Sequence, residues 1–84
     1  MVTDSKLAQD VATLTESARE AAWRLFSQGP LPSTALTPQV SGREWLIREG
    51  YAEATPQGWV FMTRAGVDLA VVLGMSTRKI RMRS

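Results

Sequence analysis

The densest chemistry in this chain of 84 residues lies at its end, where Arg78, Lys79, Arg81 and Arg83 stand within seven residues. Cations at that spacing suit an arm that grips phosphates or an acidic protein surface; the same run can also serve only to solubilise a terminus. Ile80 and Met82 alternate with the charges, a pattern that also fits an edge strand added to a partner's sheet. A second capable group is aromatic. Trp59 and Phe61 are two apart, so in a strand they share one face while Val60 and Met62 share the other. Turned to solvent, the pair offers an apolar face to a protein partner; the alternative is that the leading helix or the tail covers it.

Other chemistries are missing at the level of residue type. The chain has no Cys and no His. Disulfides, thiol or imidazole catalysis and the usual zinc ligand sets are therefore excluded, and the missing Cys fits a reducing compartment. The carboxylates are scattered on helices beside Lys or Arg, and no Gly-rich phosphate loop occurs. An enzyme is not expected, and neither a metal nor a cofactor is implied.

The formal net charge of +2 belongs to the end of the chain. Residues 1–41 carry a net −1, residues 42–77 again −1, and the last seven residues +4. The body is thus mildly acidic, and a phosphate-binding role would rest on the tail and a few arginines.

These groups must be positioned by short elements. Leu7, Val11, Leu14, Ala18, Ala21, Ala22 and Leu25 recur at helical spacing. Asp4 or Ser5 can cap the start, and Thr13 with Glu16 has capping-box spacing. The pattern predicts a leading helix over 5–12 and a main helix over 15–28, with one continuous helix as the alternative. Gly29 and Pro30 stop it. Ser33 can cap a short helix over 33–36. Pro38 can open another over 39–49, ending at Gly50. A hairpin follows, with strands at 51–54 and 59–62 and a type I turn at Thr55-Pro-Gln-Gly58. Thr63 caps a last helix over 64–73, closed by Gly74. Gly66 reads as a close helix–hairpin contact. A single domain over 1–74 and a basic, flexible tail over 75–84 result. Trp23, Phe26 and Tyr51 are read as core.

No run approaches the roughly 20 apolar residues of a membrane span. The opening MVTDSKLAQD lacks a signal-peptide apolar region, so a cytoplasmic protein is expected.

Several local sequences occur in a telling order. Leu14-Thr-Glu16 opens the main helix and Gly29-Pro-Leu31 follows it. Leu46-Ile-Arg-Glu-Gly-Tyr-Ala52 ends the helix before the hairpin, and Met62-Thr-Arg-Ala-Gly66 follows the hairpin. Over about residues 14–73 the chain resembles the winged helix-turn-helix superfamily, in particular MarR-type repressors and related small regulators. It departs from them in a short, Pro-rich second helix and a tight wing turn without Lys or Arg.

The resemblance implies a mainly α fold with a small β-hairpin, acting as a double-stranded-DNA-binding transcriptional regulator. Helix 39–49 would enter the major groove. Val40, Trp45, Leu46 and the stem of Glu49 would face inward, and Gln39, Ser41, Arg43, Glu44, Ile47 and Arg48 outward. Gln39 and Arg43 suit adenine and guanine, because each can make two hydrogen bonds to one base edge. Ser41 and Arg48 suit phosphate. Arg64 and the tail residues Arg78, Lys79, Arg81 and Arg83 would add backbone contacts. The plainer alternative makes Arg43 and Arg48 the solvated face of an amphipathic helix.

The last helix carries a second apolar stripe, Val67 and Val71, beyond its core face of Leu69, Ala70 and Leu73. Either the leading helix or a second subunit would cover it, and the resemblance implies a homodimer through terminal helices. The competing function is a winged-helix protein–protein module, as in accessory or mobile-element proteins, docking through Trp59, Phe61, Val67 and Val71 without binding DNA.

Overall fold

The computed structural model describes residues 3–75. The elements are α1 (Asp4–Ala12), α2 (Glu16–Gln28), β1 (Leu31–Pro32), a 3-10 helix (Ser33–Gln39), α3 (Val40–Arg48), β2 (Ala52–Ala54), β3 (Trp59–Met62) and α4 (Arg64–Val72).

The helix starts are set by threonine caps. Thr3, rather than Asp4 or Ser5, caps α1, its Oγ1 accepting from the Lys6 N–H at 3.1 Å. Thr15 caps α2, accepting from the Ala18 N–H at 3.1 Å. The Thr13–Glu16 capping box does not form: Thr13 ends α1, and its hydroxyl donates back to the Gln9 carbonyl at 3.2 Å. Two helices therefore stand where one continuous helix was the alternative. Thr63 caps α4 as expected, accepting from the Gly66 N–H at 3.1 Å.

The Pro-rich stretch forms a 3-10 helix longer than the expected 33–36 turn. No side chain caps it, and Pro38 lies inside it instead of opening α3. Pro38 lacks an N–H and cannot join an α-helical ladder from within, so α3 begins two residues later, at Val40.

α3 and α4 end alike. The Gly50 and Tyr51 amides donate to the Ile47 and Leu46 carbonyls, and the Gly74 and Met75 amides to those of Val71 and Ala70. Each is a Schellman closure, which requires the positive φ seen at Gly50 (88°) and Gly74 (78°). Met75, assigned to the tail from sequence, is thereby part of the fold and packs against the core.

The sheet has three antiparallel strands in the order β1-β3-β2. Its third member, β1, is unforeseen from sequence. It pairs Leu31 with Val60 and Pro32 with Trp59, while β2 pairs Ala52 with Met62 and Glu53 with Phe61. The wing turn closes through the Gly58 N–H to the Thr55 carbonyl at 3.0 Å.

The core joins Ala21, Ala22 and Leu25 of α2 to Leu36, Leu46, Tyr51, Ala52, Val60 and Leu69. Trp23 departs from expectation: it is 43% exposed, because the buried side of α2 runs through Ala18, Ala21, Ala22 and Leu25. Phe26 is half-buried and Tyr51 is fully buried. Gly66 is a close helix–hairpin contact as read, since a Cβ there would meet the Tyr51 carbonyl and the Met62 side chain. This small helix-rich fold, with its three-stranded sheet and α3 ahead of a hairpin, is compatible with a winged helix.

Candidate nucleic-acid interface

The position of α3 is fixed by one small residue. Gly42 lies against α2 so closely that a Cβ would collide with the Ser17 and Ala18 backbone. Its N–H donates to Ser17 Oγ at 2.9 Å, and Leu46, one turn on, is fully buried. Val40 therefore lies outside, 44% exposed, and not inward as expected for a groove-reading helix. Ile47, expected outward, packs against the core. Trp45 is half-buried and stacks on Tyr51 with ring centroids 5.6 Å apart. The outward face of α3 consists of Val40, Ser41, Glu44 and Arg48.

The expected contact residues divide. Arg43, expected outward, turns back: it donates to the Ser33 carbonyl at 3.1 Å and its side chain is only 19% exposed. Gln39 Oε1 lies 3.5 Å from Arg24 Nη1, and Arg24 also donates to the Ala35 carbonyl. The Ser41 hydroxyl lies 3.3 Å from that of Ser17. These three groups are engaged within the fold. Arg48 and Arg64 are exposed, Arg48 sharing an ion pair with Glu49 at 3.6 Å. The segments that carry them meet, because Thr63 Oγ1, beside Arg64, donates to the carbonyl of Gly50, two residues past Arg48, at 2.7 Å. Arg78, Lys79, Arg81 and Arg83 lie outside the described residues.

Two apolar surfaces accompany α3. Strand register places Pro32, Trp59, Phe61 and Glu53 on the outer face of the sheet. Trp59 is 48% exposed and Phe61 half-buried. On α4, Leu69 and Ala70 are buried while Val67, Val71 and Val72 are exposed. α1 rests against α4 but leaves that valine stripe open.

A polar cluster at the other side of α3's end was not legible in the sequence. Lys6 Nζ lies 2.6 Å from Asp10 and 2.7 Å from Glu49, and the Tyr51 hydroxyl donates to Asp10 at 2.5 Å. Lys6 also sits 5.2 Å from the centre of the Tyr51 ring. Hydrogen bonds to Asp10 and then Glu49 hold the Lys6 ammonium well above the usual lysine range. Burial alone would raise the Asp10 carboxyl, but the bonds from Lys6 and Tyr51 override it and hold Asp10 below the carboxylate range. Burial, and then the bond to Asp10, push the Tyr51 phenol far up. The Lys6–Asp10 spacing of four was a visible signal. Glu49 and Tyr51 become partners only through the fold. Gly42 also had a signal, since a glycine inside an amphipathic helix often marks close backbone approach.

Among the described residues no group of three or more Asp or Glu is placed to hold a metal, and no helix is long and apolar enough to cross a membrane. No family model, curated protein or solved structure matches the chain.

Proposed function

We propose that the chain is a winged-helix DNA-binding protein that regulates transcription, with α3 presented to the major groove. The observation that carries this reading is the setting of α3. One side is locked to α2 at Gly42 and Leu46, the opposite side is uncovered, and the hairpin follows directly. Base contact falls to Glu44 and Arg48, on the outward face of α3; Glu44 can accept from a cytosine amino group. Arg48, Arg64 and the tail cations supply phosphate contacts. Gln39, Ser41 and Arg43 act as supports in this reading, because their polar atoms are already engaged.

The test is fluorescence anisotropy of labelled random duplex DNA at low salt, comparing the full chain with a variant carrying Gln at 78, 79, 81 and 83. Binding by the full chain and a loss of at least about tenfold in the variant are expected, since each neutralised phosphate contributes a counterion-release term. No binding by the full chain at low salt overturns the reading.

A second reading is favoured by one observation: Trp59 is half exposed beside Phe61 and Pro32 on the outer face of the sheet. In it the chain is a protein-docking module that uses this face. The exposed Val67, Val71 and Val72 support self-association through α4 in either case. Sedimentation equilibrium of the chain and of Val71→Glu checks that point; a wild-type monomer at high micromolar concentration removes the dimer.

A further inference from the structure

We propose that α1 is a latched segment, which undocks from the rest of the fold as a unit while α2, α3, α4 and the sheet stay folded, and that the Asp10 carboxylate holds the latch closed. Three observations lead there. The buried core draws on α2, the 3-10 helix, α3, the residues at and before β2, β3 and α4, and on nothing from α1. α1 buries no residue fully and contributes only the partly buried Leu7 and Val11. Its specific attachment is polar: Tyr51 to Asp10 at 2.5 Å, and Lys6 to Glu49 at 2.7 Å.

An isolated helix of nine residues is unstable in water, so α1 persists only while docked. Its docking also has a single pivot. Asp10 is the acceptor for both Lys6 and Tyr51, and Tyr51 is itself fixed in the core beneath Trp45. Removing the carboxylate leaves both donors without it and loses the cross-link between α1 and Tyr51. Lys6 would still hold Glu49, but with its side chain 36% exposed that contact is open to screening by salt. The charged groups facing the pivot are Lys6 from α1 and Glu49 and Tyr51 from the end of α3, with Arg48 behind Glu49. On α4, Arg64 and Asp68 are exposed, and among the described residues neither pairs with the cluster.

Release has a consequence for the surface. It frees Glu49, the C-cap of α3, from Lys6 and leaves it to Arg48 alone. The charge balance thus changes at the end of α3 where Arg48 and Arg64 lie. The inference stands whether or not the chain binds DNA.

Amide-resolved hydrogen exchange on the full chain tests it. In the native protein, the amides of Leu7 to Val11 are expected to exchange at least about tenfold faster than those of Ala22, Leu25 and Leu46. Asp10→Ala, which leaves no acceptor for Tyr51 or Lys6, is expected to accelerate the α1 amides by a further factor of about ten and leave the core amides unchanged. Lys6→Gln, which keeps the Tyr51–Asp10 bond, is expected to show the same selectivity with a smaller factor. Equal protection of α1 and core amides, parallel acceleration of both sets, or failure of both variants to fold overturns the proposal.

Discussion

The Asp10 carboxylate receives a donor from each side, Lys6 at 2.6 Å and Tyr51 at 2.5 Å. Its pKa is lower in the folded than in the unfolded chain. The stability it contributes is therefore present above the unfolded carboxylate value, near 4, and is lost as pH falls through the depressed folded value. Lys6 and Tyr51 are both raised, so their contributions are complete below their unfolded values, near 10, and are lost as pH climbs above them. Urea midpoints should be flat from about pH 5 to 9 and fall on either side, with a shallower acid limb in Asp10→Asn. Gly42 makes a different kind of prediction. A methyl there meets main chain, which cannot rotate away, so Gly42→Ala should cost about 1–3 kcal/mol in chemical denaturation. At this scale the sequence was only partly readable. Tyr51 as core followed from its type and place. The inward turn of Arg43 did not, because it depends on where the fold brings the Ser33 carbonyl, at the start of the 3-10 helix.

Among the elements, the caps separate two readings of the region between α1 and α2. Thr15 satisfies an amide of α2, whereas Thr13 only bonds back onto its own helix. Thr15→Ala should lower the thermal midpoint by the equivalent of about 1 kcal/mol, roughly 4–8 °C for a domain of this size. Thr13→Ala should stay within about 0.5 kcal/mol of the native protein. The order of helices and the hairpin was legible, because apolar spacing and glycine stops are local signals. β1 was not: two residues carry no periodicity, and Leu31 and Pro32 become a strand only because β3 passes beside them. Trp23 shows the same limit. Apolar type suggested core, but the angular position of each residue on α2 decided burial, and alanines took the buried places.

For the whole molecule, charge placement governs what any DNA contact can be. Apart from the four tail cations, Arg48 and Arg64 are the candidate contact residues left outside the fold's own hydrogen bonds. If all six bind phosphate, the slope of log K against log salt should not exceed about 5.4, at roughly 0.9 per neutralised phosphate. A steeper slope in anisotropy titrations would mean that a further cation joins, either the exposed Arg19 or an Arg43 or Arg24 that leaves its carbonyl partner.

The strand register carries one more consequence. Leu31–Val60 and the Ser33–Gly58 contact are hydrogen-bonded positions, so the backbone of Pro32 faces away from β3, along the sheet's outer edge. Proline has no N–H to offer there. On the other edge Ala52 is buried, which leaves the outward backbone of Ala54 as the exposed part of β2. Neither rim can easily template another strand, so the half-exposed tryptophan face sits on a sheet that resists polymerising edge to edge.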